Sequence, residues 1–391
     1  MGVKSRISKR VETMPPSGIR AFFELVLEMK DVISLGVGEP DFVTPWHIRE
    51  SAIYGLEQGY TSYTSNKGMI ELRRGVRTLL GKKYQLKYDP EDQILVTVGV
   101  SEGVDLAMRA VLNGGDRVLV PEPSFVSYAP MVSLAGGRPL LVPAEKENAF
   151  KLRPEQIDEA CRKHKGVRVI LLNYPCNPTG ASYTRKELLA LCRVIKKHDL
   201  IVISDEVYDE LSYDFDHTAL PSLPGMYSRT VYLNGVSKGY AMTGWRIGWA
   251  CGPRDIIAAM TKIHQYTIMC APISSQMATI EALRSGSRDV QAMKKSYMRR
   301  RRYIVSSLNE IGLDCHMPEG TFYVFPSVAS TGQDAMAFAR GLLDKKRVAL
   351  VPGVAFGKPY THNVRISYAS GYDDLKEAVR RIKEYISEIS Q

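Results

Sequence analysis

From about residue 94 to residue 250 the chain alternates short, almost wholly apolar runs with longer stretches whose apolar positions recur every three or four residues. The runs at 94–98, 117–120, 138–142, 167–172, 200–204, 230–233 and 246–250 read as strands. A strand that is apolar at every position is buried on both faces, which is the habit of parallel sheets. Helical patterns at 101–112, 154–164 and 184–198 separate several of these runs, with Ser101 placed as an N-cap for the first. Strands alternating with helices of ten or more residues imply βαβ units. The flanks read differently. Residues 1 to about 45 carry Pro15-Pro16, a short helix and the turn-rich run 36–41, and from about 285 onward long amphipathic helices enclose a few strands, among them 321–325 and 364–368. The expected fold class is α/β: a large domain over 46–284 with a mostly parallel sheet covered by helices, and a smaller α+β domain built from both ends, 1–45 and 285–391.

Composition leaves that picture standing and removes rivals. The chain has 391 residues, 45% hydrophobic and 24% charged, close to the globular average, which excludes collagen-like, coiled-coil and disordered classes. Lys plus Arg number 52 against 42 Asp plus Glu, a formal charge of +10. These basic residues are spread along the length instead of gathered in a stripe or tail, so no nucleic-acid partner is expected. The one dense run, four arginines at 299–302, reads as the solvated face of an amphipathic helix that turns Met293, Met298, Ile304 and Leu308 inward. The cysteines at 161, 176, 192, 251, 270 and 315 form no C-x-x-C pair and no cluster with histidine, so neither a zinc site nor a disulfide framework is expected. Seven scattered histidines lack the H-E-x-x-H pattern, and His264 and His316 read as structural or surface residues. No metal is expected. Arg6 stands where a myristoylation signal needs Ser or Thr, no apolar leader follows, and no stretch nears the ~18 apolar residues of a membrane span. A reducing, cytoplasmic setting without membrane contact is expected.

In a parallel α/β sheet, ligands gather beyond the carboxyl ends of the strands. After the 94–98 run comes Gly99-Val100-Ser101-Glu102 entering a helix, where free amides favour a phosphate. Neither G-x-G-x-x-G nor G-x-x-x-x-G-K-[ST] occurs there, against dinucleotide and P-loop readings. After 167–172 comes Asn173-Tyr174-Pro175-Cys176-Asn177-Pro178-Thr179-Gly180, a stiffened loop in which Asn177 is either a turn-former or a presented ligand. After 200–204 comes Asp205, either a helix N-cap or an acid that needs a cationic partner, and then Tyr208. After 230–233 comes Ser237-Lys238-Gly239, with Gly244-Trp245-Arg246-Ile247-Gly248 close behind. A lysine held in such a pocket can shed its proton and form an imine with a carbonyl.

In combination, Asn177-Pro178-Thr179-Gly180, Ser204-Asp205-Glu206-Val207-Tyr208 and Ser237-Lys238 followed by Gly244-Trp245-Arg246-Ile247-Gly248 resemble the pyridoxal-phosphate-dependent aminotransferases of fold type I, in the class I aspartate/aromatic family. The resemblance runs from Gly36-Val37-Gly38-Glu39-Pro40-Asp41-Phe42 to Val364-Arg365-Ile366-Ser367-Tyr368-Ala369. It implies the following roles. Lys238 would hold pyridoxal 5′-phosphate as an imine and carry the substrate Cα proton. Asp205 would keep the pyridine nitrogen protonated, and Tyr208 and Asn177 would hydrogen-bond the ring oxygen. Ser237, Arg246 and the amides of Val100, Ser101 and Glu102 would cradle the phosphate. Phe125 would stack on the ring; otherwise it is a core aromatic. Arg365 would bind the substrate α-carboxylate bidentately, with the Gly38 amide and Asn177 beside it. Tyr63 would reach the partner subunit's phosphate in a two-fold dimer with shared active sites.

The implied reaction is ping-pong transamination between an L-amino acid and a 2-oxo acid, with 2-oxoglutarate as the usual acceptor. In the family the chain resembles, bacterial members dedicated to acidic substrates carry a basic group where Ser101 stands, so the resemblance does not extend to strict aspartate use. Phe22, Phe23, Tyr63 and Tyr266 are candidate pocket liners, so the reading favours aromatic or broad specificity. The alternatives are an aminotransferase specific for aspartate or for an N-acyl-diamino acid, and a lyase, decarboxylase or cyclopropane-forming synthase on the same fold. An aminotransferase-like ligand sensor is a further rival, but the residues before the sheet are too few for a DNA-binding domain, and Lys238 argues for catalysis.

Overall fold

The protein is described here by a computed structural model covering residues 6–14 and 29–389, so Phe22 and Phe23 lie outside the described residues. In chain order the strands are β1 (Ile33–Ser34), β2 (Ile94–Thr97), β3 (Arg117–Glu122), β4 (Arg138–Pro143), β5 (Val167–Asn173), β6 (Ile201–Asp205), β7 (Thr230–Gly235), β8 (Gly248–Cys251), β9 (Tyr323–Val324), β10 (Val348–Ala349), β11 (Val351–Pro352) and β12 (Val364–Ser367). Seven of them form one sheet in the order β2-β8-β7-β6-β5-β3-β4. Only β8 runs against its neighbours; the other pairings are parallel. β5, β6 and β7 lie side by side in the middle, with Asn173 opposite Asp205 and Asp205 opposite Leu233. Their carboxyl ends therefore open at one place.

The apolar runs are explained by burial on both sides. Ile203, Leu171 and Leu233 pack on one face with Val104 and Ala107 of the helix Gly99–Val111. Val202, Ile170 and Leu172 pack on the opposite face with Leu188 and Leu191 of the helix Arg185–Lys197. Alternate residues of one strand thus serve two cores, and no position is left for a polar side chain until the strand ends.

A second body of packing surrounds the helices Ser287–Glu310, Ala335–Lys346 and Tyr372–Ile389. Its strands form an antiparallel trio, β11-β12-β9, and a parallel pair, β1-β10, that brings residues 33–34 beside residues 348–349. Val207, Tyr208 and Leu211, just past β6, are buried in this same core, so it grips the large sheet near its open end.

Several local expectations change. The helix after β2 begins at Gly99 and Ser101 is not its N-cap; the N-cap position is Val98. Gly99 adopts φ +73°, which turns the strand directly into the helix two residues early. The run at 246–250 is strand only from Gly248, because Arg246 sits in the left-handed region at φ 55°. Pairing at 321–325 is restricted to Tyr323–Val324.

The arginine run departs furthest from expectation. Arg300 and Arg301 are buried, not solvated: Arg300 bonds Asp41, and Arg301 bonds Asp214 through both terminal nitrogens. Met293, Ile304 and Leu308 do face inward, and Met298 is only partly covered. A buried arginine is tolerated when its fork is satisfied. Here the acceptors come from far along the chain, so a local charge run could not reveal them.

All six cysteines are unpaired. Among the described residues no helix is long and apolar enough to cross a membrane, and no group of three His, Cys, Asp or Glu side chains could hold a metal ion.

Candidate active site

A cavity of about 400 Å³ opens at the carboxyl ends of β5, β6 and β7. Eleven of the thirteen candidate site residues line it: Gly38, Val100, Ser101, Phe125, Asn177, Asp205, Tyr208, Ser237, Lys238, Arg246 and Arg365. Two do not. Glu102 lies one turn into the helix with its carboxylate directed elsewhere, and Tyr63 stands on the surface with 82% of its area exposed. Tyr266 is likewise exposed and outside the cavity.

Asp205 ends β6 as a buried acid. Tyr128 donates its hydroxyl to Oδ2 at 2.7 Å, and the Val207 amide donates to Oδ1 at 3.2 Å. Burial pushes the carboxyl up to about 6, and those hydrogen bonds oppose the shift. The amide of Asn173, at the end of β5, holds the Asp205 carbonyl at 2.9 Å. Asn173 also accepts from the Asn177 backbone at 3.0 Å, so one side chain seats both the acid and the Asn177 loop.

Lys238 is three residues beyond β7. Its Nζ donates to the Gly38 carbonyl at 2.6 Å and lies 5.8 Å from the Tyr208 ring centre. Burial, followed by the Arg365 and Arg246 charges, lowers its pKa to about 8. An amine so placed is partly neutral near physiological pH, as a nucleophile or a proton carrier must be.

Arg365 sits in β12 with 3% of its area exposed. It donates to Asn177 Oδ1 at 2.8 Å and to the Gly36 carbonyl at 2.6 Å, while its buried Nε has no partner. The guanidinium lies between the rings of Tyr323 (4.5 Å) and Phe356 (4.8 Å). Burial lowers its pKa. No carboxylate among the described residues pairs with it, so a buried cation faces the cavity without its counter-ion.

At the other end of the cavity the helix Gly99–Val111 presents its N-terminus. Arg246 is exposed there and bonds the Thr243 carbonyl at 3.0 Å. A Cβ on Gly99 would stand 2.6 Å from Arg246 Nη2, and a Cβ on Gly248 would stand 2.8 Å from both the Gly99 carbonyl carbon and the Val100 nitrogen. Helix start, β8 and guanidinium therefore fit together only around two glycines. Glu102 stabilises the turn from within: Oε2 accepts the Val98 amide at 2.5 Å, and Oε1 pairs with the fully buried His264 at 2.7 Å.

Sequence reasoning missed Tyr128 and Tyr323. Tyr128 lies three residues after Phe125 and meets its ring edge-on at 5.5 Å. Tyr323 bonds the Tyr208 hydroxyl at 3.1 Å and would stand 2.4 Å from a Cβ on Gly38. Both read as core aromatics in the sequence, and both are core residues apart from the hydroxyl. The Gly36 and Gly38 carbonyls were equally invisible, since backbone acceptors leave no mark in composition.

The family model for aminotransferase class I and II matches residues 30–382. The chain is 48% identical over 98% of each chain to the Bacillus subtilis protein YugH, named only at the level of an aminotransferase. It is 42% identical, again over 98% of each, to an aspartate aminotransferase of Pyrococcus abyssi. The crystal structure of an aromatic aminotransferase from Pyrococcus horikoshii superposes with a TM-score of 0.90 at 43% identity, covering 95% of this chain and 99% of that one.

Proposed function

The chain belongs to the class I and II aminotransferase family and is an aminotransferase, and from that premise we propose that it moves the amino group of an aromatic L-amino acid, or of a broad set of them, to a 2-oxo acid such as 2-oxoglutarate, with pyridoxal 5′-phosphate as cofactor. One observation carries the reading. The cavity is lined by three cations, Lys238, Arg246 and Arg365, none of them ion-paired among the described residues. That matches one carbonyl, one phosphate and one carboxylate, with no cation left for a second carboxylate.

The residues present fit the cofactor. Arg246, Ser237 and the first amides of the helix Gly99–Val111 would hold its phosphate. Asp205 would share a proton with the ring nitrogen, and Tyr128 keeps that carboxylate oriented. Tyr208 and the amide nitrogen of Asn177, whose oxygen is already taken by Arg365, would donate to the ring oxygen. Phe125 would face the ring. When bound, pyridoxal 5′-phosphate supplies a carbonyl that accepts amines and a ring that draws electrons from the substrate Cα–H bond. Lys238 would anchor it and then carry the proton at Cα, for which a pKa near 8 suits it. Arg365 would hold the substrate carboxylate, its free Nε completing the fork, with the Gly38 amide alongside.

The protein would act in the cytoplasm as a homodimer, Tyr63 reaching the phosphate in the partner subunit. The support is an exposed apolar face: Tyr60, Tyr63, Tyr266, Ile268 and Met269 are all exposed, and Asn66 ties the two segments by donating to the Met269 carbonyl at 2.8 Å.

Steady-state kinetics test the substrate. Phenylalanine and tyrosine should equal or exceed aspartate in kcat/KM. The Pyrococcus abyssi relative favours a second reading, strict aspartate use, and aspartate far ahead of the aromatics would establish that instead. One mixing experiment would separate this reading from a lyase on the same fold. Loaded protein given phenylalanine and no acceptor should release one 2-oxo acid per site and stop.

A further inference from the structure

We propose that Arg300 is a positioning residue for substrate-carboxylate binding, clamping together the two chain segments between which Arg365 works. Arg300 lies in the middle of the helix Ser287–Glu310 with 7% of its area exposed, and it does not line the cavity. Its Nη1 donates to Asp41 Oδ1 at 2.8 Å and to the Ala369 carbonyl at 2.7 Å. The guanidinium plane lies 5.2 Å from the Phe42 ring centre and 5.5 Å from that of Tyr297.

Each acceptor belongs to a segment that faces the cavity. Asp41 and Phe42 end the 36–42 stretch, whose Gly36 carbonyl accepts from Arg365 and whose Gly38 carbonyl accepts from Lys238. Ala369 follows β12, the strand that carries Arg365. One nitrogen with two fixed N–H bonds therefore sets the distance between the carbonyl that orients Arg365 and the strand that bears it. Lysine cannot reproduce this, because its ammonium has neither the planar fork nor the stacking face. The inference rests on reading Arg365 as the carboxylate ligand.

The test is calorimetric binding of 3-phenylpropionate, which has a carboxylate and no amine to transfer, to cofactor-loaded protein. Arg300→Lys and Asp41→Asn should each weaken binding about tenfold, since small misplacements of binding groups cost that much or more. The double variant should be no weaker than Arg300→Lys alone, because Asp41→Asn removes a contact that the lysine has already disrupted. With an amino acid donor, KM should rise while kcat stays within about threefold. Asp41 is part-exposed, so its variant keeps the test open if Arg300→Lys folds poorly. Wild-type affinity in both variants, with or without a lower Tm, overturns the proposal and leaves Arg300 a structural residue. Wild-type protein that binds both 3-phenylpropionate and succinate no tighter than Arg365→Ala does overturns the reading of Arg365, and the proposal with it.

Discussion

Asp205, in its proposed role beside the ring nitrogen, sets function against stability at a single side chain. A carboxyl shifted from 3.8 to about 6 by burial costs the cofactor-free fold about 3 kcal/mol at pH 7. The sign follows from a raised pKa: the cost is fully present above pH 6, shrinks as the pH falls, and is gone below 3.8. Asp205→Asn keeps the shape and an acceptor for Tyr128 while removing the charge. We therefore expect cofactor-free Asp205→Asn to melt at a higher temperature than wild type at pH 8, with the difference vanishing near pH 4. The same variant should lose about a hundredfold or more in transamination rate, the scale of an acid–base contribution. Thermal melts across pH and a single-turnover assay check the two halves. Arg365 fits the same pattern, since its buried charge without a counter-ion favours any carboxylate that enters.

At the scale of elements, the turn proposed to hold the phosphate depends on groups beneath it. Glu102 caps the turn at Val98 and holds His264 of the neighbouring helix Arg254–Thr267. Glu102→Gln keeps the size but loses the charge, and should cost about 1–2 kcal/mol in urea unfolding as buried polar groups lose their partners. It should loosen cofactor retention while leaving Asp205 and Lys238 in place; equilibrium dialysis of the loaded protein measures this. This element also marks what the sequence could and could not disclose. The apolar runs of β5, β6 and β7 were legible because both faces are buried, and the residues at their ends were legible because a polar side chain after such a run stands out. Ser101 looked like a helix cap because nothing in the sequence says that Gly99 takes a positive φ. The partners of Arg300 and Arg301 lie 259 and 87 residues away, so their burial could not be read from neighbours. Tyr128 and Tyr323 differ from ordinary core tyrosines only in where their hydroxyls point.

For the whole molecule, the exposed apolar face around Tyr63 and Tyr266 bears on assembly. Sedimentation equilibrium should give the mass of two chains. Tyr266→Asp places a charge in that face and should shift the protein toward single chains, with activity falling about tenfold, as expected when an aromatic contact is lost from an interface. A monomer with full activity would remove Tyr63 from any part in the partner's site.

The bond from Arg365 to the Gly36 carbonyl closes a separation of 329 residues. A ribosome adding 5–20 residues per second makes the two ends about 15 to 65 seconds apart. Every residue proposed for the cofactor phosphate in this chain, through Arg246, emerges well before Arg365 does. On the proposed roles, a growing chain would carry its phosphate cradle and its anchoring lysine before it owns a clamp for the amino acid. Chemistry on free amino acids would then wait until the strand that bears Arg365 has paired with β9 and β11.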